Sequence, residues 1–316
     1  MRQARKSLPT KGIQLEERVM YIRVSRILAI CLVALLLARL LSHAQISTTT
    51  TILFEILGQE KGKIPAASTI EPLVVIENGR LKKPPEYDYD KQKESDAAYD
   101  RFEKQYFQHG RKYPLLIGGT EKGFVTLGEP VGVSCISLSA TVTTSVPLSN
   151  AQFALATTTT NGLGVHADWR KPVVPQQRSD FLRLVSRILG EHKVNSISES
   201  LIKVDNLRST KLSEAGPTVL IGSATLKRKT GIHQAFLVAM NKNSEYQEAV
   251  SSYHFAQDED DARASVENLV EQVDLDGDGT DEIITINTYY ESWDYNIYKQ
   301  ENGSWKKVYQ GGGGGC

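Results

Sequence analysis

The sequence predicts an α+β protein, mostly antiparallel β with about two helices. Three observations lead there. Short runs rich in Val, Ile, Thr and aromatic residues recur along most of the chain, separated by Gly, Pro and Asn. Only two stretches carry apolar residues at helical spacing. The closely spaced C-terminal runs lack the strand–helix alternation of a parallel sheet, and fit a meander arranged as a sandwich or a partial propeller-like blade.

Thr51 to Leu57 and Ile70 to Ile76 are β-branched runs, the second ending at the turn pair Asn78-Gly79. Lys82-Lys83-Pro84-Pro85 breaks regular structure, because proline removes a donor and restricts its predecessor. Lys91 to Phe107 then reads as a polar helix whose Tyr99, Phe102 and Tyr106 form one narrow docking stripe. Tyr113 to Ile117, Gly123 to Leu127, Val133 to Val146 and Ala151 to Thr157 are again strand-like. The second helix, about Gln176 to Leu189, carries Phe181, Leu184, Val185, Ile188 and Leu189 on one face, with Gly190 placed to stop it. After it come eight strand-like runs: Leu201 to Asp205, Thr218 to Leu226, Ile232 to Met240, Tyr246 to Phe255, Val266 to Val273, Glu282 to Tyr289, Trp293 to Lys299 and Trp305 to Tyr309. Asp258 to Leu269 also fits an acidic helix. Trp293, Tyr295 and Ile297 share a face by the two-residue period, and Asn302-Gly303 supplies a tight hairpin turn.

Residues 1–44 read as a secretory signal. An apolar run from Ile27 to Ala38 follows Arg23 and Arg26, and Ser42-His43-Ala44 supplies small residues before a cleavage point at Gln45. At about 12 residues the run is short for a hydrocarbon core roughly 30 Å thick. An uncleaved anchor extended through Leu41 is the competing reading. Cleavage leaves 29 basic and 35 acidic residues, a net charge of −6, with no stable membrane insertion. Such a surface is not steered toward nucleic acid or an anionic membrane. The rest divides by composition into an α+β region, 45–195, and a β-rich region, 196–316, although one continuous body fits nearly as well. Cys135 and Cys316 would survive processing, and in an oxidising compartment they are expected to form one disulfide, with Gly311 to Gly315 as a flexible tether.

The chemistry concentrates in Asp274-Leu-Asp-Gly-Asp-Gly-Thr-Asp-Glu282. Asp274, Asp276 and Asp278 alternate in a turn containing Gly277 and Gly279, and Thr280 and Glu282 continue the spacing. Hard cations such as Ca²⁺ take six to eight oxygens at about 2.3–2.6 Å, which a tight acidic loop can wrap around one ion. Without a cation the carboxylates repel one another. An EF-hand frame starting at Asp274 puts Gly279 at the required glycine but Thr285 where a bidentate Glu is needed.

This loop resembles the Ca²⁺-binding loops of FG-GAP and VCBS repeats, which sit between two strands of a propeller blade. The resemblance covers about residues 266–309 and no other acidic loop of that spacing occurs, so it implies one blade-like unit. It implies a structural Ca²⁺ held by Asp274, Asp276, Asp278 and Glu282 through side chains and by Thr280 through its carbonyl.

No catalytic motif stands beside the loop. The histidines His109, His166, His192, His233 and His254 form no HExxH, and Ser134 lacks the Gly-x-Ser-x-Gly elbow. Tyr289, Tyr290, Trp293, Tyr295, Tyr298, Trp305 and Tyr309 crowd the last strands. They fit either burial between layers or an exposed binding platform. The expectation is a secreted or periplasmic, calcium-stabilised binding or structural protein with an unidentified protein or carbohydrate ligand. The alternative is an extracytoplasmic hydrolase, carbohydrate-active included, with dispersed catalytic carboxylates.

Overall fold

A closed six-stranded barrel, absent from the sequence expectation, occupies the first half of the chain. The computed structural model describes residues 50–57, 68–131, 138–148, 153–257 and 266–315. The barrel strands are β1 (Thr50–Leu57), β2 (Ser68–Glu77), β4 (Lys112–Ile117), β5 (Thr120–Pro130), β6 (Ala140–Thr144) and β7 (Ala154–Thr157), with β3 (Arg80–Lys82) hairpinned onto β2. The order β1-β7-β4-β5-β6-β2 closes because β1 also pairs with β2, every pairing being antiparallel. A barrel this small is filled by side chains. Ile52, Phe54, Ile56, Tyr113, Leu115 and Val125 meet inside, with Phe54 stacked on Tyr113 at 5.3 Å. Helix α1 (Gln92–Tyr106) adds Phe102 to this core, with Tyr99 and Tyr106 partly buried beside it.

Two four-stranded antiparallel meanders follow. The first is β8 (Ile202–Thr210), β9 (Val219–Arg228), β10 (Gly231–Lys242) and β11 (Glu245–Ala256). Helix α2 (Pro175–Glu191) covers one of its faces with the five apolar residues expected. Pro175 stands at the first helical position, where its missing N–H costs nothing, and the Gln177 side chain accepts from Val174 N at 3.1 Å. The second meander is β12 (Val266–Val273), β13 (Glu282–Thr288), β14 (Ser292–Glu301) and β15 (Ser304–Gly315). Strand β12 settles Val266 to Val273 as strand; Asp258 to 265 lie outside the described residues.

The β12–β15 sheet is a middle layer. Leu269, Ile283 and Tyr298 pack on Ile221, Phe236 and Val238 of the other meander. Val270, Ile284, Tyr295 and Ile297 pack on Leu53, Leu73 and Leu116 on the outside of the barrel. Adjacent residues such as Ile283 and Ile284 are therefore both fully buried, as happens when a sheet is covered on two faces. The described residues from Thr50 onward cluster as one compact unit.

The glycine run departs from the tether expectation: Gly311–Gly315 belongs to β15 and pairs with β14. The register shifts opposite Trp293 to Tyr295. Gly312 and Gly313 have φ of 69° and 81°, and a Cβ on either would collide with the carbonyl oxygens of Leu73 and Trp293 respectively. Only glycine fits that close approach. Residues 1–44, expected to be a signal, and the expected disulfide partners Cys135 and Cys316 lie outside the described residues.

Candidate metal centre

Asp274 leaves β12 with 2% of its surface exposed and organises the loop after it. Its Oδ1 accepts from Gly277 N at 2.7 Å and Asp278 N at 3.1 Å, and its Oδ2 accepts from Gly279 N at 2.8 Å. These bonds wind the chain around one carboxylate, the short-range capture that makes Asp a turn residue. The loop is closed from outside by Gly164, which donates its N–H to the Asp274 carbonyl at 2.9 Å and leaves no room for a Cβ. Glu282 opens β13 at 3% exposure, and its Oε2 accepts from Leu275 N at 2.7 Å.

Asp274, Asp276 and Glu282 each bring a carboxylate oxygen to within 4.8 Å of the others. Two ligands on opposite sides of one ion with bonds of about 2.4 Å stand about 4.8 Å apart, so all three can touch a single Ca²⁺-sized cation. The donors are hard oxygens, which suit Ca²⁺ over a thiolate- or imidazole-seeking metal. Asp278 is not one of these three carboxylates. Asp278 Oδ1 accepts from Thr280 N at 2.9 Å, and its Oδ2 from Lys299 Nζ at 3.0 Å. Thr280 forms an isolated bridge with Ser213.

Sequence reasoning missed Lys299. Its ammonium contacts Asp276, Asp278 at 3.0 Å and Glu282 at 3.0 Å, so a protein cation already bonds two of the three clustered carboxylates. The signal was available in register: Ile283 pairs with Tyr298, and one further step sets Glu282 opposite Lys299. Burial pushes the Glu282 carboxyl up to about 7, against the opposing pull of Leu275 N–H and Lys299. Asp278 is raised by burial but held below its ordinary value by Lys299 and the Thr280 N–H. The cluster opens on a cavity of about 520 Å³ that also includes Arg80, Leu81 and Glu301.

A second polar group lies behind the loop. His166 Nε2 is 2.8 Å from Asp281 Oδ1, and Gln272 Nε2 donates to Asp281 Oδ2 at 2.8 Å. His166 Nδ1 stands 2.6 Å from the Ala167 carbonyl, which can only accept, so that nitrogen carries a proton. The ring stacks on Trp169 at 3.6 Å. Burial lowers the imidazole pKa, but the bonds to Asp281 and Ala167 outweigh it and hold it above its ordinary value. Both nitrogens are engaged, so this pair braces the 158–174 segment and offers no free base. His233 and His254 do not meet: His233 pairs with Phe255 and Gln234 with His254, which puts the two histidines on opposite sheet faces.

Of the crowded aromatics, Tyr295, Tyr298 and Tyr309 are buried between layers, and the exposed rings are Tyr289 and Tyr290 at the β13–β14 turn. Among the described residues no helix is long and apolar enough to cross a membrane. Comparisons with protein-family models, curated proteins and solved structures return no match to the chain.

Proposed function

We propose that the protein is an extracytoplasmic binding protein whose middle sheet is clamped by one divalent cation, Ca²⁺ by ligand chemistry, at Asp274, Asp276 and Glu282. The observation that carries this reading is the convergence of two almost fully buried carboxylates with a third on points within 4.8 Å. Taking a carboxylate out of water costs several kcal/mol unless a cation or a full set of donors offsets it. Lys299 bonds Asp276, Asp278 and Glu282, whereas Asp274 takes its bonds from the backbone. A cation shared by these three carboxylates would join the exit of β12 to the start of β13 and hold the loop against Gly164. It acts on geometry, fixing the surfaces beside the sheet that meet a ligand. The blade-like resemblance and the signal-like segment support the same reading, the four-stranded β12–β15 meander having the strand order of a single blade.

Calorimetry on chelator-treated protein tests it. Ca²⁺ should bind saturably and raise the melting temperature, as any ligand selective for the folded state does. Asp276→Ala should abolish the binding heat without lowering the metal-free melting temperature by much, because Asp276 is exposed. Lys299→Met should tighten Ca²⁺ by removing the competing ammonium. If Lys299→Met instead destabilises the protein and Ca²⁺ produces no heat in any variant, the lysine is the cluster's counter-ion and the proposal fails. N-terminal sequencing of exported protein should begin at Gln45.

A further inference from the structure

A second cavity, of about 450 Å³, opens where the segment before α1 meets the edge strand β15. That is the size of a small-molecule site. Its walls are Tyr87, Tyr89, Tyr99, Trp293 and the bare backbone of Gly312 to Gly315, with Glu86 and Glu291 among them. It shares no residue with the acidic loop and rests on nothing proposed for it.

The rings are not arranged for a flat ligand. Tyr87 meets Tyr89 at 71° and Tyr99 at 75°, with centroids 5.3 and 5.6 Å apart. Rings set edge to face enclose a compact group from several sides and do not stack together on one sugar face. The charged groups are one-sided. Among the described residues no Lys, Arg or His lines the cavity. The Tyr87 hydroxyl donates to Asp96 at 3.1 Å and the Trp293 indole N–H to Glu71 at 3.1 Å, so these two donors are turned to protein partners, while the Tyr89, Tyr99 and Ser292 hydroxyls are the other side-chain donors of the wall. A cation needs acceptors and aromatic faces, and the wall supplies both. Glu86 is paired with Lys83 at 2.9 Å, and Glu291 has no ion pair or hydrogen bond among the described residues. The surplus charge of the cleft is negative.

We propose that this cleft binds a small organic cation, an amine or quaternary ammonium group of compact shape, with the tyrosine and tryptophan faces around the charge and Glu291 beside it. The glycine wall brings the backbone close without side chains to fill the space, which is the use of glycine next to a ligand.

The test is calorimetry on the full processed chain with three probes: choline, its uncharged carbon isostere 3,3-dimethyl-1-butanol, and maltose. Choline should bind saturably and the isostere about tenfold more weakly, the ratio that a desolvated cation–π contact supplies. Glu291→Gln and Tyr89→Ala, both at exposed positions, should each weaken choline by roughly threefold to tenfold while the circular dichroism spectrum and unfolding midpoint stay put. Choline affinity should be equal in Ca²⁺ and in chelator at a temperature where both forms are folded, so loss of the calcium reading leaves this one standing. Equal binding of the isostere, variants that bind like the wild type, or maltose saturating where choline gives no heat would each overturn it, the last in favour of a carbohydrate.

Discussion

Replacing Glu55 by Gln should flatten the pH dependence of stability. Glu55 on β1 lies directly across from Glu71 on β2, fully buried against the middle sheet. The Tyr295 hydroxyl donates to its Oε2, and its Oε1 has no partner among the described residues. Burial pushes its carboxyl from an ordinary 4.5 to about 8, with the nearby Glu71 charge adding to the rise. The sign follows from proton counts. Between those two values the folded chain holds a proton that the unfolded chain has released, so stability is greatest at the acid end and falls as pH rises through about 8. At about 1.4 kcal/mol per pH unit, the loss between about pH 5 and about pH 9 is roughly 4 kcal/mol from this group alone. Gln keeps the side-chain length and an acceptor for Tyr295, and its amide cannot ionise. Urea unfolding of both proteins at about pH 5, 7 and 9 measures the difference directly. Glu55→Gln should match the wild type within about 1 kcal/mol at the acid end and exceed it by several at the alkaline end. Parallel profiles would show that the Glu55 proton is not linked to folding, and would refute the reasoning.

Arg208 pairs with the fully buried Glu271 at 2.7 Å. Arg208→Met should cost about 3–5 kcal/mol in urea unfolding by stranding that carboxylate, and adding Glu271→Leu should recover most of the loss. Gly312→Ala meets both a φ of 69° and the Leu73 carbonyl. It should lower the melting temperature and speed hydrogen exchange along β15, and an unchanged exchange pattern would mean that the bulge relaxes freely.

Local patterns were legible and distant pairings were not. Helix α2 announced itself because Phe181, Leu184, Val185, Ile188 and Leu189 repeat the helical period that its packing uses. Asn78-Gly79 and Asn302-Gly303 adopt the positive φ that a hairpin turn demands. The barrel was invisible because it joins β1 to β7 across about a hundred residues, as Ile52 N donating to Thr158 Oγ1 illustrates, and no local period encodes such a pairing. The glycine run looked flexible in composition, yet the close approach of Leu73 and Trp293 makes those same residues the only ones that fit a bulged strand. At the acidic loop, spacing alone brought Asp274, Asp276 and Glu282 to notice. Lys299 needed the hairpin register, and the pairing of His166 with Asp281 spans 115 residues, beyond any motif.

The position of β12–β15 has a consequence for biosynthesis. This sheet is made after both of its neighbours, yet it supplies the apolar surface that each of them packs against. Until β12 to β15 emerge, the outward face of the barrel strands and the open face of β8–β11 have only each other or a chaperone to bury against. A nascent chain halted before Val266 should therefore be a strong client for holdases and an easy target for proteases. Completion of the native state waits for the arrival of the last sheet.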